Sequence, residues 1–118
     1  MRKVDVGKHG EAIAVEYLSK RGLIEIERNF YTRFGEIDII ALNGDVYHFI
    51  EVKTRLGDTY GSSLESMTQS KMNNFVRTIQ AYIKKNSLSD INMSVDFIGI
   101  DISLDGTIDI EWIENITL

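Results

Sequence analysis

A chain of 118 residues, 43% hydrophobic and 26% charged, has the size and composition of one globular domain able to bury its own core. It contains no cysteine, which excludes a disulfide framework and a thiolate zinc site, and no apolar run approaching the length of a membrane span. The formal net charge of −5 weighs against a nucleic-acid partner on the total alone, but residues 1–33 and 66–90 are mildly basic while residues 34–65 and 91–118 hold the acid.

The N-terminus opens on Met1-Arg2-Lys3-Val4-Asp5, a charged stretch and not an apolar signal segment, so a cytoplasmic location is the expectation. Residues 7–21 predict a helix: Ala12, Ile13, Val15, Tyr17 and Leu18 recur at helical spacing, and Gly22 stands where a stop belongs. Residues 23–31 alternate apolar and polar, as a half-buried strand does. Residues 35–42 predict a second strand and 46–54 a third, joined by Asn43-Gly44 as the two residues of a tight hairpin turn. Residues 55–65, with Gly57 and Gly61, read as a flexible loop placed to approach a substrate. Residues 66–86 predict a long helix striped by Met72, Phe75, Val76, Ile79, Tyr82 and Ile83; 94–102 and 107–113 predict strands joined at Leu104-Asp105-Gly106. No proline, repeat or low-complexity tract divides the chain, so a single domain over 1–118 is expected. The order predicts an α/β fold. The first three strands make a meander, and the second helix crosses over to set the fourth strand beside the third. The result is a mixed sheet flanked by helices, with an extra C-terminal strand.

The second and third strands carry charge inside apolar runs. Asp38 lies between Ile37 and Ile39, and Glu51 and Lys53 bracket Val52. A strand covered on both faces should be almost continuously apolar, and a buried charge costs several kcal/mol unless it is paired or bound to metal. With Asn43-Gly44 as the loop, Leu42 opposes Asp45, Asp38 opposes Phe49, and Glu36 opposes Glu51. Glu36, Asp38, Glu51 and Lys53 then share one face. Carboxylates gathered this closely repel one another, and a hard divalent cation is the natural solution. Mg²⁺ or Mn²⁺ held by Asp38 and Glu51, with the Val52 backbone carbonyl as a further ligand, suits phosphodiester hydrolysis, and Lys53 would orient a water or stabilise phosphate charge. The alternative from spacing alone is a plain Asp38–Lys53 cross-strand ion pair with Glu36 and Glu51 facing water.

Gly10-Glu11-Ala12 at a helix start, Gly35-Glu36-Ile37-Asp38-Ile39-Ile40-Ala41, and Phe49-Ile50-Glu51-Val52-Lys53-Thr54-Arg55 together closely resemble the YraN-like family, UPF0102, over roughly residues 7–100. That family is similar to the restriction-endonuclease-like, PD-(D/E)XK, superfamily and to archaeal Holliday-junction resolvases. The resemblance implies an αβββαβ core, a divalent metal and endonuclease action on DNA, with a structure-specific or resolvase-like action as the finer expectation. Asp38 matches the first motif aspartate, without the proline the superfamily carries before it, and Glu51 and Lys53 match the E-x-K half. Glu11 matches a first-helix glutamate that assists the metal site, and Glu36 is a weaker, second carboxylate.

Arg55 and Lys71 are candidate DNA-backbone contacts, each with an ordinary surface residue as its alternative. Asp96 is expected to pair structurally, and His48 to be a core-edge or surface residue and not a ligand. Trp112 is expected to pack; Tyr60 is a candidate base-stacking residue. Asp101, Asp105, Asp109, Glu111 and Glu114 make an acidic final hairpin, set against DNA binding there. A homodimer would suit cutting of both strands. The other functional reading is a non-catalytic nucleic-acid-binding or partner-docking module that keeps the nuclease fold.

Overall fold

The computed structural model describes residues 2–57 and 63–116. Helix α1 (Lys3–Ser19) leads into strands β1 (Ile24–Thr32), β2 (Gly35–Asn43) and β3 (Val46–Leu56). A 3-10 turn (Ser63–Ser66), helix α2 (Gln69–Lys85) and strands β4 (Asn92–Ile102) and β5 (Ile108–Ile113) follow. The strands form one sheet in the order β1-β2-β3-β4-β5. The β3–β4 pair is parallel and the other neighbours are antiparallel. A parallel pair needs a crossover, and α2 supplies it. This is the αβββαβ arrangement of a restriction-endonuclease-like core followed by one further strand. Among the described residues no helix is long and apolar enough to cross a membrane.

Alternate residues of the central strands enter two cores. Ile39, Ala41 and Ile50 meet Ala14 and Leu18 of α1 together with Ile98 and Ile100 of β4. Ile40 and Phe49 meet Phe75, Ile79 and Tyr82 of α2. With a helix on each face, β2 and β3 read as nearly unbroken apolar runs. Each fully buried Ile or Phe contributes about 1.5–3 kcal/mol.

The elements depart from the sequence expectation mainly at their ends. Helix α1 begins four residues early, at Lys3, with Asp5 in its first turn where the helix dipole favours an acid. It stops as expected: Gly22 takes φ 90° and the Leu23 amide reaches the Leu18 carbonyl at 3.1 Å. Helix α2 begins at Gln69 and not at 66, because the Thr68 hydroxyl accepts the Lys71 amide at 3.2 Å and caps the helix there. Strand β3 runs on to Leu56, paired with Ile102 of β4. The rest of the expected loop, including Tyr60 and Gly61, lies outside the described residues. The alternation read in β1 does not bury its isoleucines. A register shift between Glu25 and Glu27 on this edge strand leaves Ile24 72% and Ile26 44% exposed, while Leu23 and Phe30 are buried.

The β2–β3 register also differs from the expectation. Asn43 pairs with Val46, so Gly44 and Asp45 are the loop residues, and Ile40, not Asp38, opposes Phe49. Gly44 takes φ 61° and Asp45 does not share a positive φ. That is the hairpin type with glycine at its first central position, whereas Asn43-Gly44 needed two such residues. The slip is two residues. A one-residue slip would exchange the faces, and a two-residue slip keeps every side chain on its side.

Candidate active site

The β2–β3 ladder runs from Asn43–Val46 to Ile39–Ile50 and stops there, so the strands part at Asp38. In this fork Asp38 is only 5% exposed, and its Oδ2 accepts the Val52 amide at 2.8 Å. The corrected register carries Asp38 toward Glu51, close enough for the two charged carboxylates to repel one another. Burial, then repulsion by Glu51, pushes the Asp38 carboxyl up to about 9, against the lowering effect of the Val52 amide. Burial and Glu36 push Glu51 up to about 7, while Lys71 and Lys53 pull it back. Two carboxyl groups this close, one of them buried, resist ionising together.

Sequence reasoning missed the residue that organises the other two carboxylates. Asn29 of β1 donates from Nδ2 to Glu11 Oε1 at 3.1 Å and to Glu36 Oε2 at 3.3 Å. It does so from φ 56°, a left-handed conformation that asparagine tolerates better than most residues. The available signal was an asparagine inside a strand, where that residue is depleted. Burial raises the Glu11 carboxyl, the Asn29 hydrogen bond lowers it, and Glu36 raises it again. Helix α1 packs closely on β3 at Gly10, the residue before Glu11. A Cβ there would collide with Thr54 Oγ1 and lie 2.8 Å from Thr54 Cβ and 3.0 Å from Cγ2. Tyr31, exposed on β1, pairs with Glu36 across the strands, and that carboxylate raises its hydroxyl above the usual range.

Glu36 and Glu51 open into a cleft of about 200 Å³, walled by the β1–β2 turn and the first turns of α2. Lys71 lines it, alongside Phe34, Met67 and Phe75. Lys53, on β3 two residues beyond Glu51, is exposed. Among the described residues neither Asp38 nor Glu51 forms an ion pair, so the expected alternative of an Asp38–Lys53 bridge is not what the strands build. Arg55 lies apart from the cleft and makes a two-pronged ion pair with Asp101 across β3–β4, Nε to Oδ1 at 2.8 Å and Nη2 to Oδ2 at 3.2 Å. His48 and Asp96 are buried together with their own partners, and Trp112 donates to Asp96 at 3.0 Å.

Asp38 and Glu51 fit a hard divalent ion by donor chemistry: both are carboxylates, Asp38 is buried and Glu51 half-buried at the cleft, and each raises the cost of ionising the other, which a cation would offset. Among the described residues no three His, Asp or Glu side chains converge into a complete cage. Mg²⁺ characteristically takes one or two carboxylates and leaves its other positions to water and phosphate.

Comparison with known proteins bears on the whole of this region. The model of "Uncharacterised protein family UPF0102" matches residues 10–100. A UPF0102 protein of Dictyoglomus turgidum is 39% identical over 112 residues, covering 95% of this chain and 94% of the relative. One from Vibrio campbellii is 37% identical over 113 residues, 96% and 92% of the two chains. A third, from Clostridium tetani, is 44% identical over 95 residues, 80% and 78% of the two chains.

Proposed function

This chain belongs to the UPF0102 family, and for it we propose metal-dependent hydrolysis of phosphodiester bonds in DNA, with Mg²⁺ or Mn²⁺. The observation that carries this reading is the pair of adjacent carboxyl groups in the β2–β3 fork, Asp38 buried and Glu51 half-buried at the cleft, neither of them in an ion pair among the described residues. Asp38 and Glu51 would hold the ion, with the Val52 carbonyl next in the chain as a further ligand. A bound ion supplies Lewis-acid polarisation of a phosphoryl oxygen and lowers the pKa of a water. Asp38 fixes the fork by holding the Val52 amide. Lys53, leaving the same strand, places a cation beside the phosphate or the attacking water. Lys71 reaches Glu51 from α2 and adds a second positive charge to the cleft. Glu11 and Glu36, tied by Asn29, orient water around the ion. Arg55, held by Asp101, serves the sheet and not the phosphate in this reading.

The test is incubation of the pure protein with supercoiled, single-stranded and four-way-junction DNA in Mg²⁺ or Mn²⁺. Cleavage should fall at least about 100-fold in Asp38→Asn and in Lys53→Ala, the scale of one positioned acid–base or electrostatic group. Cleavage that both variants retain in full would mark a contaminant and end the proposal. A non-catalytic module that binds DNA is the second reading, favoured by the incomplete cage among the described residues. DNA binding with no turnover in either ion would support it.

A further inference from the structure

The cleft beside Glu51 holds more than a metal site requires. Its volume of about 200 Å³ is below the roughly 300–1,000 Å³ of sites that engulf a whole small ligand. It suits one part of a longer molecule. Phe34, Met67 and Phe75 give it apolar walls, and Lys71 and Asn74 put a cation and an amide among them. The Phe34 ring is further flanked by two guanidinium groups, Arg33 at 4.9 Å and Arg77 at 5.4 Å from its centroid. Among the described residues neither arginine pairs with a carboxylate. A chain with a net charge of −5 thus places three cations, Arg33, Lys71 and Arg77, around one half-buried aromatic ring at the mouth of its carboxylate fork.

An apolar, aromatic-walled recess ringed by cations matches a nucleotide: a planar base for the ring, a phosphate backbone for the rim. Bases in intact duplex are stacked on their neighbours and paired, so none can enter a recess of this size without leaving the helix. We propose that the cleft receives a single unpaired nucleotide, its base against Phe34 and its backbone along Arg33, Lys71 and Arg77, which makes single-stranded or flapped DNA the substrate class and intact duplex a poor one. The cleavage half of this statement rests on the nuclease reading; the binding half does not.

Binding is measured by fluorescence anisotropy with labelled single-stranded, 5′-flap and blunt duplex oligonucleotides, at fixed salt and in a chelator, so that no metal chemistry contributes. Single-stranded and flapped DNA should bind more tightly than blunt duplex. Phe34→Ala should weaken single-strand binding by roughly 5- to 150-fold, the range of one base–aromatic stack, and Phe34→Trp should retain it. Arg77→Ala should reduce the dependence of binding on salt by about one charge. Lys20→Ala, at the far end of α1, should change nothing, and unaltered melting temperatures separate lost binding from misfolding. Equal affinity for duplex and single strand, or single-strand binding that Phe34→Ala leaves untouched, overturns the assignment whether or not the protein cuts DNA. If binding follows Phe34 but no form of DNA is cleaved in Mg²⁺ or Mn²⁺, the nuclease reading fails and the cleft assignment stands.

Discussion

Asp38 accepts one backbone amide and faces three other carboxylates, and the consequence is a stability that depends on pH. Its carboxyl is raised from an ordinary 3.8 to about 9, and that of Glu51 from 4.5 to about 7. The folded state therefore keeps protons that the unfolded chain has released. Their stabilising contribution is complete below about 3.8 and is lost as pH rises through about 7 and then about 9. The metal-free protein should melt at a lower temperature at pH 8.5 than at pH 5.5, and Asp38→Asn should flatten that slope. Excess Mn²⁺ should raise the melting temperature more at pH 8.5 than at pH 5.5, because the ion replaces the proton. A wild-type melting temperature that rises over this interval would contradict the raised carboxyls; scanning fluorimetry reads all three. Asn29 gives a second test at this scale. Asn29→Ala removes donors to two carboxylates and should cost about 1–3 kcal/mol in urea unfolding, with a weaker affinity for Mn²⁺ by calorimetry. Asp38, Glu51 and Lys53 were legible as candidates in the sequence because charges stand out inside apolar strands. Asn29 was not, because its role depends on a positive φ and on the two carboxylates that β2 and α1 bring to it.

At the scale of elements, α1 fits closely on β3 at the residue before Glu11. Glycine at position 10 lets the helix backbone approach Thr54, whose buried Oγ1 finds no hydrogen-bond partner among the described residues. Gly10→Ala should destabilise the fold by about 1–3 kcal/mol, the usual cost of overpacking. Thr54→Ala removes Oγ1 and Cγ2, the atoms nearest the new methyl apart from Cβ itself. The double variant should therefore lose less than the sum of the singles, and strict additivity in a denaturant cycle would refute the contact. The hairpin between β2 and β3 teaches a similar lesson about legibility. Asn-Gly is a strong turn signal, but core residues on both faces of β2 and β3 select the pairing of Ile40 with Phe49, and the turn follows that pairing. The slip was harmless to the reading of faces because the side-chain period of a strand is two.

Across the whole molecule, a buried polar network stands apart from the candidate site and joins three strands. Asp96 of β4 is fully buried; its Oδ2 faces His48 Nδ1 of β3 at 2.6 Å and accepts Trp112 Nε1 of β5, while its Oδ1 accepts the Ser94 hydroxyl and the Asn115 amide at 3.1 Å. This pins the last strand to the parallel pair. Asp96→Ala leaves the buried His48 and Ser94 and the half-buried Trp112 without their acceptor at once, and should destabilise the protein by about 3–5 kcal/mol. Asp38 and Glu51 sit elsewhere, so Mn²⁺ affinity of the folded Asp96→Ala protein should match that of the wild type. A loss of ion affinity without loss of stability would show that the network serves the site instead.

The sequence by itself determined the order of elements, the mixed sheet and the three residues that interrupt its central strands, since periodicity, turn residues and misplaced charges are written within a few positions of one another. The tertiary structure alone decided the β2–β3 register, the fork that brings Asp38 to Glu51, the approach of Glu11 over Gly10, and the conversion of Lys71 from a helix-surface lysine into a wall of the cleft. Those depend on which distant side chains fill the two cores, and packing between elements far apart in the chain leaves no local signature to read.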